Sequence, residues 1–185
     1  MTVQGLREHR PEVRGDVLAR FGREIKAVAY LIVRDSGDAE EVLAETLLTA
    51  LERGHQLRDE SALRAWLLRI AANRALGMRR RSVRLIRLGS LPDRPSTDTA
   101  DAAVIDRTVL GEAMASLSPR VRAAIALRYY ADLDVDEVAA ALGTSRNTVK
   151  TQLRIGLDRL RDNLRDPIPD PGPGPKVPGS EATRV

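Results

Sequence analysis

The stretch from Val135 to Arg161 constrains this chain most, because it has the form of two short amphipathic helices joined by a tight turn. Apolar residues recur every three or four positions on both sides of Gly143, which is the spacing of helices that bury one face. Gly143 suits the C-terminal end of the first helix, and Ser145 can cap the second. This pattern is typical of a helix-turn-helix, whose second helix usually enters the major groove of DNA. The alternative is an ordinary helical hairpin. The apolar positions are Val135, Val138, Ala139, Leu142, Val149, Leu153, Leu157, Leu160 and Leu164.

Composition narrows the fold and excludes several kinds of site. The 185 residues allow one or two domains, and 43% are apolar but only 3% aromatic, which favours small helical domains. Because the chain has no cysteine and its two histidines, His9 and His55, lie far apart, we expect no disulfide, metal site or cofactor. No signal peptide is recognisable, and no apolar run approaches the roughly 18 residues of a membrane span. We therefore expect a cytoplasmic protein that does not bind membranes.

Helical periodicity predicts an all-α chain with two small domains. The expected helices span residues 11–33, 39–53, 62–81, about 104–115, 119–130 and the helix-turn-helix. The expected domains are residues 1–87 and 103–166, with a flexible linker over 88–102 and a disordered Pro- and Gly-rich tail over 167–185. Within these helices we place Leu18 and Tyr129 on buried faces, either Asp35 or Ser36 at the cap of the second helix, and Ser61 at the cap of the third.

Charge is distributed unevenly along the first expected domain. The second helix has an acidic outer face, and Glu45 and Glu52 lie beyond the first turn, where the helix dipole favours acids. From Ser61 to Pro92 there is no acidic residue. We expect the arginines there to lack ion-pair partners, so a polyanion such as nucleic acid explains them better than a merely solvated helix. They are Arg64, Arg69, Arg74, Arg79, Arg80, Arg81, Arg84 and Arg87.

Two separated blocks resemble the extracytoplasmic-function (ECF) sigma factors of bacterial RNA polymerase. RDSGDAEEVLAETLLTAL, followed by ALRAWLLRIAANRALGMRRR, is similar to the family's second conserved region. LSPRVRAAIALRYYADLDVDEVAAALGTSRNTVKTQLRIGLDRLR is similar to its fourth region. With the first helix, the resemblance covers roughly residues 11 to 165. The ordered pair of blocks is much more specific than a helix-turn-helix alone.

The resemblance implies a non-enzymatic initiation factor that binds core RNA polymerase, recognises −10 and −35 promoter elements and aids promoter melting. It implies contacts with the β′ clamp and the β flap of polymerase, and a possible anti-sigma partner. The implied clamp-binding residues are Asp38, Glu41, Glu45, Leu47 and Leu48. Those implied to hold the opened −10 strand are Arg69, Asn73, Arg74, Arg79, Arg80 and Arg81, while the loop over 54–61 resembles the element that captures an unstacked base. Those implied to contact the −35 duplex are Arg146, Asn147, Thr148, Lys150, Thr151 and Arg154.

Departures from the family pattern leave the preferred promoter sequence open. Ala44 and Leu47 stand where Gln and an aromatic residue are common, and Gln152 and Ile155 stand where Arg is common. Two other functions remain alternatives. One is a helix-turn-helix regulator that acts without polymerase, and the other is a helical adaptor that binds no nucleic acid. An enzyme is disfavoured, because no nucleophile motif or phosphate-binding glycine loop is present.

Overall fold

The computed structural model describes residues 12–57, 59–87 and 109–165, and these residues form helices and turns without any strand. The α-helices are α1 (Glu12–Val33), α2 (Ser36–Arg53), α3 (Leu63–Arg87), α4 (Val109–Ala115), α5 (Pro119–Ile125), α6 (Val135–Leu142) and α7 (Arg146–Arg165). A 3₁₀ turn at Gly54–Gln56 follows α2, and a π-helical turn at Ala126–Tyr130 extends α5. The all-α class is confirmed. The predicted linker and tail lie outside the described residues.

Helices α1, α2 and α3 pack against one another around a core of aliphatic side chains. Ile25, Val42 and Leu67, one from each helix, are completely buried. The turn from α1 into α2 is tight, and Arg34 adopts a left-handed conformation there with φ of 61°. Asp35 caps α2, since its carboxylate accepts a hydrogen bond from the Asp38 amide at 2.8 Å. The acidic side of α2 borders both neighbouring helices, since Glu40 pairs with Lys26 of α1 and Glu45 pairs with Arg74 of α3.

The helix-turn-helix is formed by α6 and α7, and its turn has the predicted chemistry. Gly143 ends α6 with φ of 59°, a conformation that costs residues with a Cβ about 1–2 kcal/mol. The Ser145 hydroxyl accepts a hydrogen bond from the Thr148 amide at 3.1 Å, so Ser145 caps α7 as predicted. Helix α7 approaches α5 closely at Gly156, where a Cβ would lie 2.8 Å from Ile125.

The group formed by α1, α2 and α3 packs directly on a second group formed by α4 to α7. Helix α3 contacts α5 and α6, and α1 contacts α5. Two side chains of α3 donate hydrogen bonds to main-chain oxygens of the second group. The Arg64 guanidinium donates to Ala131 O at 2.6 Å, and the Asn73 amide donates to Ala141 O at 2.9 Å. These bonds fasten α3 to the residue that follows the π-helical turn and to the C-terminal end of α6.

Several predicted positions are wrong, and each error has a local cause. Leu18 is 45% exposed because it lies over Gly22 on the outer side of α1. Tyr129 is 55% exposed because the π-helical turn displaces it from the buried face of α5. Ser61 does not cap α3, since its hydroxyl donates to the Asp59 carboxylate at 2.5 Å. Helix α3 continues to Arg87, because Arg and Leu are both good helix formers.

Candidate nucleic-acid interface

The first turns of α7 present a polar surface that stands clear of the protein. Val149 and Leu153 are buried and fix the rotation of the helix. The predicted duplex-binding residues in these turns point outward and are all exposed; they are Arg146, Asn147, Thr148, Lys150, Thr151 and Arg154. Guanidinium, ammonium, amide and hydroxyl groups of this kind can bind phosphates and base edges. Arg146 also forms an exposed ion pair with Asp136 at 2.8 Å.

The arginines of α3 fall into two groups, and the prediction that all of them lack partners is wrong. Arg64 pairs with Glu24 on α1, and Arg74 pairs with Glu45 on α2 at 3.3 Å. These acids are distant in sequence, so no local charge pattern could have revealed the pairs. The second group forms no ion pair with a described residue. It includes Arg69, Arg79, Arg80 and Arg81.

A cavity of about 390 Å³ opens between the end of α2, the 3₁₀ turn and α3. It brings together Arg69, Asn73 and Arg74 of the predicted −10 residues, and its size falls within the range of small-ligand pockets. Gln56, from the loop that resembles the base-capturing element, also lines the cavity, and two further lining residues, Arg53 and Trp66, were not predicted as site residues. Helical spacing placed Trp66 in the core, although it is half-buried. The remaining lining residues are Thr49 and Ile70.

The chemistry of this cavity suits an unpaired base. Aromatic faces stack on bases, and guanidinium and amide groups bind base edges and phosphates. Beyond the 3₁₀ turn, the Asp59 carboxylate accepts hydrogen bonds from the hydroxyl and the amide of Ser61. These hydrogen bonds favour the ionised carboxylate and so lower the pKa of Asp59.

The acidic face of α2 is only partly available to a partner. Glu41 is exposed, and the neighbouring Leu48 is 51% exposed, which is unusual for a large apolar side chain. Glu45 is engaged by Arg74. Leu47 is a correction to the predicted surface, because it is only 4% exposed and belongs to the core. Asp38 lies in the first turn of α2 beside its cap, where its charge also favours the helix dipole.

Among the described residues, no group of three or more His, Asp or Glu side chains could hold a metal ion. No helix in the described ranges is long and apolar enough to cross a membrane.

Two sigma-70 family models match this chain, region 2 over residues 17–85 and region 4 over residues 107–160. The chain is 31% identical over 150 residues to an RNA polymerase sigma-E factor of Streptomyces coelicolor, which covers 80% of each chain. It is 32% identical over 139 residues to the ECF RNA polymerase sigma factor SigL of Mycobacterium tuberculosis, covering 72% of this chain and 78% of that protein.

Two solved structures share the fold. The sigma factor RpoE of Bartonella quintana, in complex with the anti-sigma factor NepR, superposes with a TM-score of 0.69 at 22% identity and covers 84% of this chain and 98% of that one. CnrH, in complex with the cytosolic domain of CnrY, gives a TM-score of 0.64 at 21% identity and covers 88% and 94%. With the two sigma regions in order and relatives above 30% identity over most of its length, the chain belongs to the ECF family of RNA polymerase sigma factors.

Proposed function

We propose that this sigma factor works in the cytoplasm by binding alone, without catalysis, and that it uses three separate surfaces. The exposed polar face of α7 contacts the −35 duplex, the α2–α3 cavity and its rim hold the opened −10 strand, and the outer face of α2 docks on core polymerase. The observation that carries this proposal is the pairing of an exposed duplex-reading helix with a cavity suited to a single base. Each lies in a different sigma region.

At the −35 element, Lys150 and Arg154 are the principal contacts. They lie one helical turn apart on the exposed face of α7, behind which Val149 and Leu153 hold the helix in place. Arg and Lys bind guanine edges in the major groove more often than any other side chains. Arg146, Asn147 and Thr148 lie in the first turn, where main-chain amides and the helix dipole favour a phosphate.

At the −10 element, the cavity receives one base that has left the stack. Trp66 supplies an aromatic face, and Arg53, Arg69 and Gln56 supply donors around it. Binding energy for the single-stranded state shifts the melting equilibrium toward open DNA. Arg80 and Arg81 are exposed further along α3 and hold the phosphates of the same strand.

The packing of α3 on α6 limits how Asn73 can bind the opened −10 strand. The Asn73 amide nitrogen already donates to Arg69 O and to Ala141 O, both at 2.9 Å. An amide nitrogen has two hydrogens, so Asn73 has no donor left for DNA. The two sigma regions must therefore separate at α6 before the Asn73 amide nitrogen can donate to a base, whereas the polar face of α7 is accessible in either arrangement.

On core polymerase, the docking surface is built around Leu48. This exposed leucine is flanked by Glu41 and Glu45, which gives the apolar centre and charged rim typical of an interface. The partner is the β′ clamp, and sigma region 4 contacts the β flap. An anti-sigma protein also binds the chain, as NepR binds RpoE in the complex that shares this fold.

Gel filtration with core polymerase tests the proposal. The wild-type chain should co-migrate with core, and Glu41→Lys should weaken that association, since it reverses a charge on the docking surface. Glu40→Lys is the matched control, because Glu40 is exposed on the same helix but pairs with Lys26 of α1 instead of flanking Leu48. If the wild type fails to co-migrate but still binds duplex DNA, the chain is a polymerase-independent regulator. Equal binding of core polymerase by the two variants would show that the surface around Leu48 is not the docking surface.

A further inference from the structure

A second groove of about 390 Å³ lies between the two sigma regions, and it is distinct from the base cavity. One wall is the second half of α3, and the other is the start of α5. The cations that line it are Arg79 and Arg80 from α3 and Arg120 from α5. The other lining residues are Leu76, Val83, Ser118 and Pro119.

The positive charge of this groove is not neutralised by any described residue. Arg79, Arg80 and Arg120 form no ion pair within the described ranges. The Nε atom of Arg79 is buried without a hydrogen-bond partner, which is a costly arrangement for a guanidinium. Three unneutralised arginines along one groove, one of them with an unsatisfied donor, indicate an anionic ligand.

Behind the groove lies a further buried cation. Arg122, on α5, is 4% exposed, and its Nε also lacks a partner. Burial, followed by the charges of Arg79 and Arg34, lowers the pKa of Arg122 to about 10. Arg79 thus both lines the groove and adds to a zone of positive charge, which an anion beside Arg79 would relieve.

The size and lining of the groove fit a small anion better than promoter DNA. A space of about 390 Å³ is within the range of small-ligand pockets, so it can enclose a small molecule but is too small to enclose a duplex. Leu76, Val83 and Pro119 form an apolar side that suits the flat face of a ring. Cations on one side and an apolar surface on the other match a nucleotide better than a bare ion.

We propose that this interregion groove, lined by Arg79, Arg80 and Arg120, binds a phosphate-bearing small molecule of about the size of a nucleotide. Because its walls belong to different sigma regions, the ligand binds only while those regions are packed together. Binding therefore favours the packed arrangement over the open one, by an amount equal to the difference in affinity between the two.

Thermal unfolding of the full chain in phosphate-free buffer tests the site, with ATP, GTP, inorganic phosphate and adenosine as probes at constant ionic strength. At ten times its Kd, a nucleotide should raise the unfolding midpoint by about 4 °C. Adenosine, which lacks phosphate, should give no shift. A full shift with inorganic phosphate assigns recognition to the phosphate group, whereas a larger shift with a nucleotide shows that the apolar side binds the base.

Charge-removing variants locate the ligand. Arg79→Gln and Arg120→Gln should each weaken binding at least about tenfold, because each removes a charged hydrogen-bond donor. Arg79→Lys, which keeps the charge, should retain part of the affinity and also guards against a folding defect. Arg81→Gln is the matched control, since Arg81 is exposed on the same helix but does not line the groove. No shift with any phosphate-bearing probe, or equal losses in Arg79→Gln and Arg81→Gln, would overturn the proposal.

These measurements use no DNA and no polymerase, so they stand or fall independently of the proposed promoter contacts. One further expectation rests on the proposed function. The ligand should lower the affinity of the chain for a single-stranded −10 oligonucleotide, because Arg79 and Arg80 would bind either the ligand or the DNA strand.

Discussion

Replacing Arg122 with methionine is expected to stabilise the fold, because the change removes a buried positive charge and keeps most of the side-chain volume. Arg122 packs within α5 at 4% exposure, and its Nε has no hydrogen-bond partner. The positive charges of Arg79 and Arg34 add to the cost of burying it. Methionine is unbranched and flexible, so it can occupy the channel that the arginine stem now fills.

The size of the effect follows from the electrostatics. Burial is the main cause that lowers the pKa of Arg122 from its ordinary value to about 10, which corresponds to about 3 kcal/mol against the charged form. Replacing buried charges with apolar residues of similar volume has a stabilising effect of about 1–4 kcal/mol. We therefore expect Arg122→Met to raise the free energy of unfolding by about 1–3 kcal/mol, and the unfolding midpoint by about 2–10 °C.

Urea and thermal unfolding in phosphate-free buffer measure this gain. Below about pH 10, Arg122 is charged in both the folded and unfolded states, so the gain should be constant between pH 6 and 9. It should shrink only as the pH rises through about 10, where the folded protein loses the proton first. Arg120→Met, an exposed neighbour on the same helix, should change stability by less than about 0.5 kcal/mol. A loss of stability in Arg122→Met, with Arg120→Met unchanged, would refute the reasoning.

Three other changes test separate parts of the account. Replacing both Lys150 and Arg154 with alanine should reduce transcription from −35-dependent promoters at least about tenfold, because each contact contributes about 1–3 kcal/mol. Binding to core polymerase should stay normal in gel filtration. Loss of core binding would contradict the separation of the DNA-binding face of α7 from the polymerase-docking surface of α2. Gly143→Ala should lower the free energy of unfolding by about 1–2 kcal/mol in urea titration, because φ is 59° there, and an unchanged midpoint would show that the turn can relax. Arg64→Ala should increase the distance between sigma regions 2 and 4, since Arg64 donates to Ala131 O at 2.6 Å. Energy transfer between two introduced cysteines can follow this distance because the chain has none of its own, and an unchanged distance would show that Arg64 does not hold the regions together.

Local chemistry was the part of this fold most open to prediction from sequence. Three features depend only on neighbours within a few positions: the left-handed conformation of Gly143, the cap at Ser145 and the helical spacing of buried residues in α6. For the same reason the exposed face of α7 followed directly from its buried face: once Val149 and Leu153 are inside, Lys150 and Arg154 must point outward.

Features that depend on distant residues were not predictable in the same way. The pairing of Arg64 with Glu24 links residues 40 positions apart, and it became visible only when α1 and α3 were placed side by side. Tyr129 fits a helical stripe, but one π-helical turn rotates it outward. Trp66 has the spacing of a core residue, yet it lines a cavity because α2 ends in a 3₁₀ turn at that point. The packing of α3 on α6, which engages Asn73, had no signature in either segment alone.

Run-off transcription with purified core polymerase on fragmented genomic DNA, followed by mapping of the start sites, shows whether this chain directs polymerase to promoters. Adding the chain should produce transcripts whose start sites share two upstream elements at a fixed spacing, and changing Lys150 and Arg154 to alanine should abolish dependence on the distal element. Transcription no higher than with core polymerase alone would contradict the claim that this chain directs polymerase through two promoter contacts.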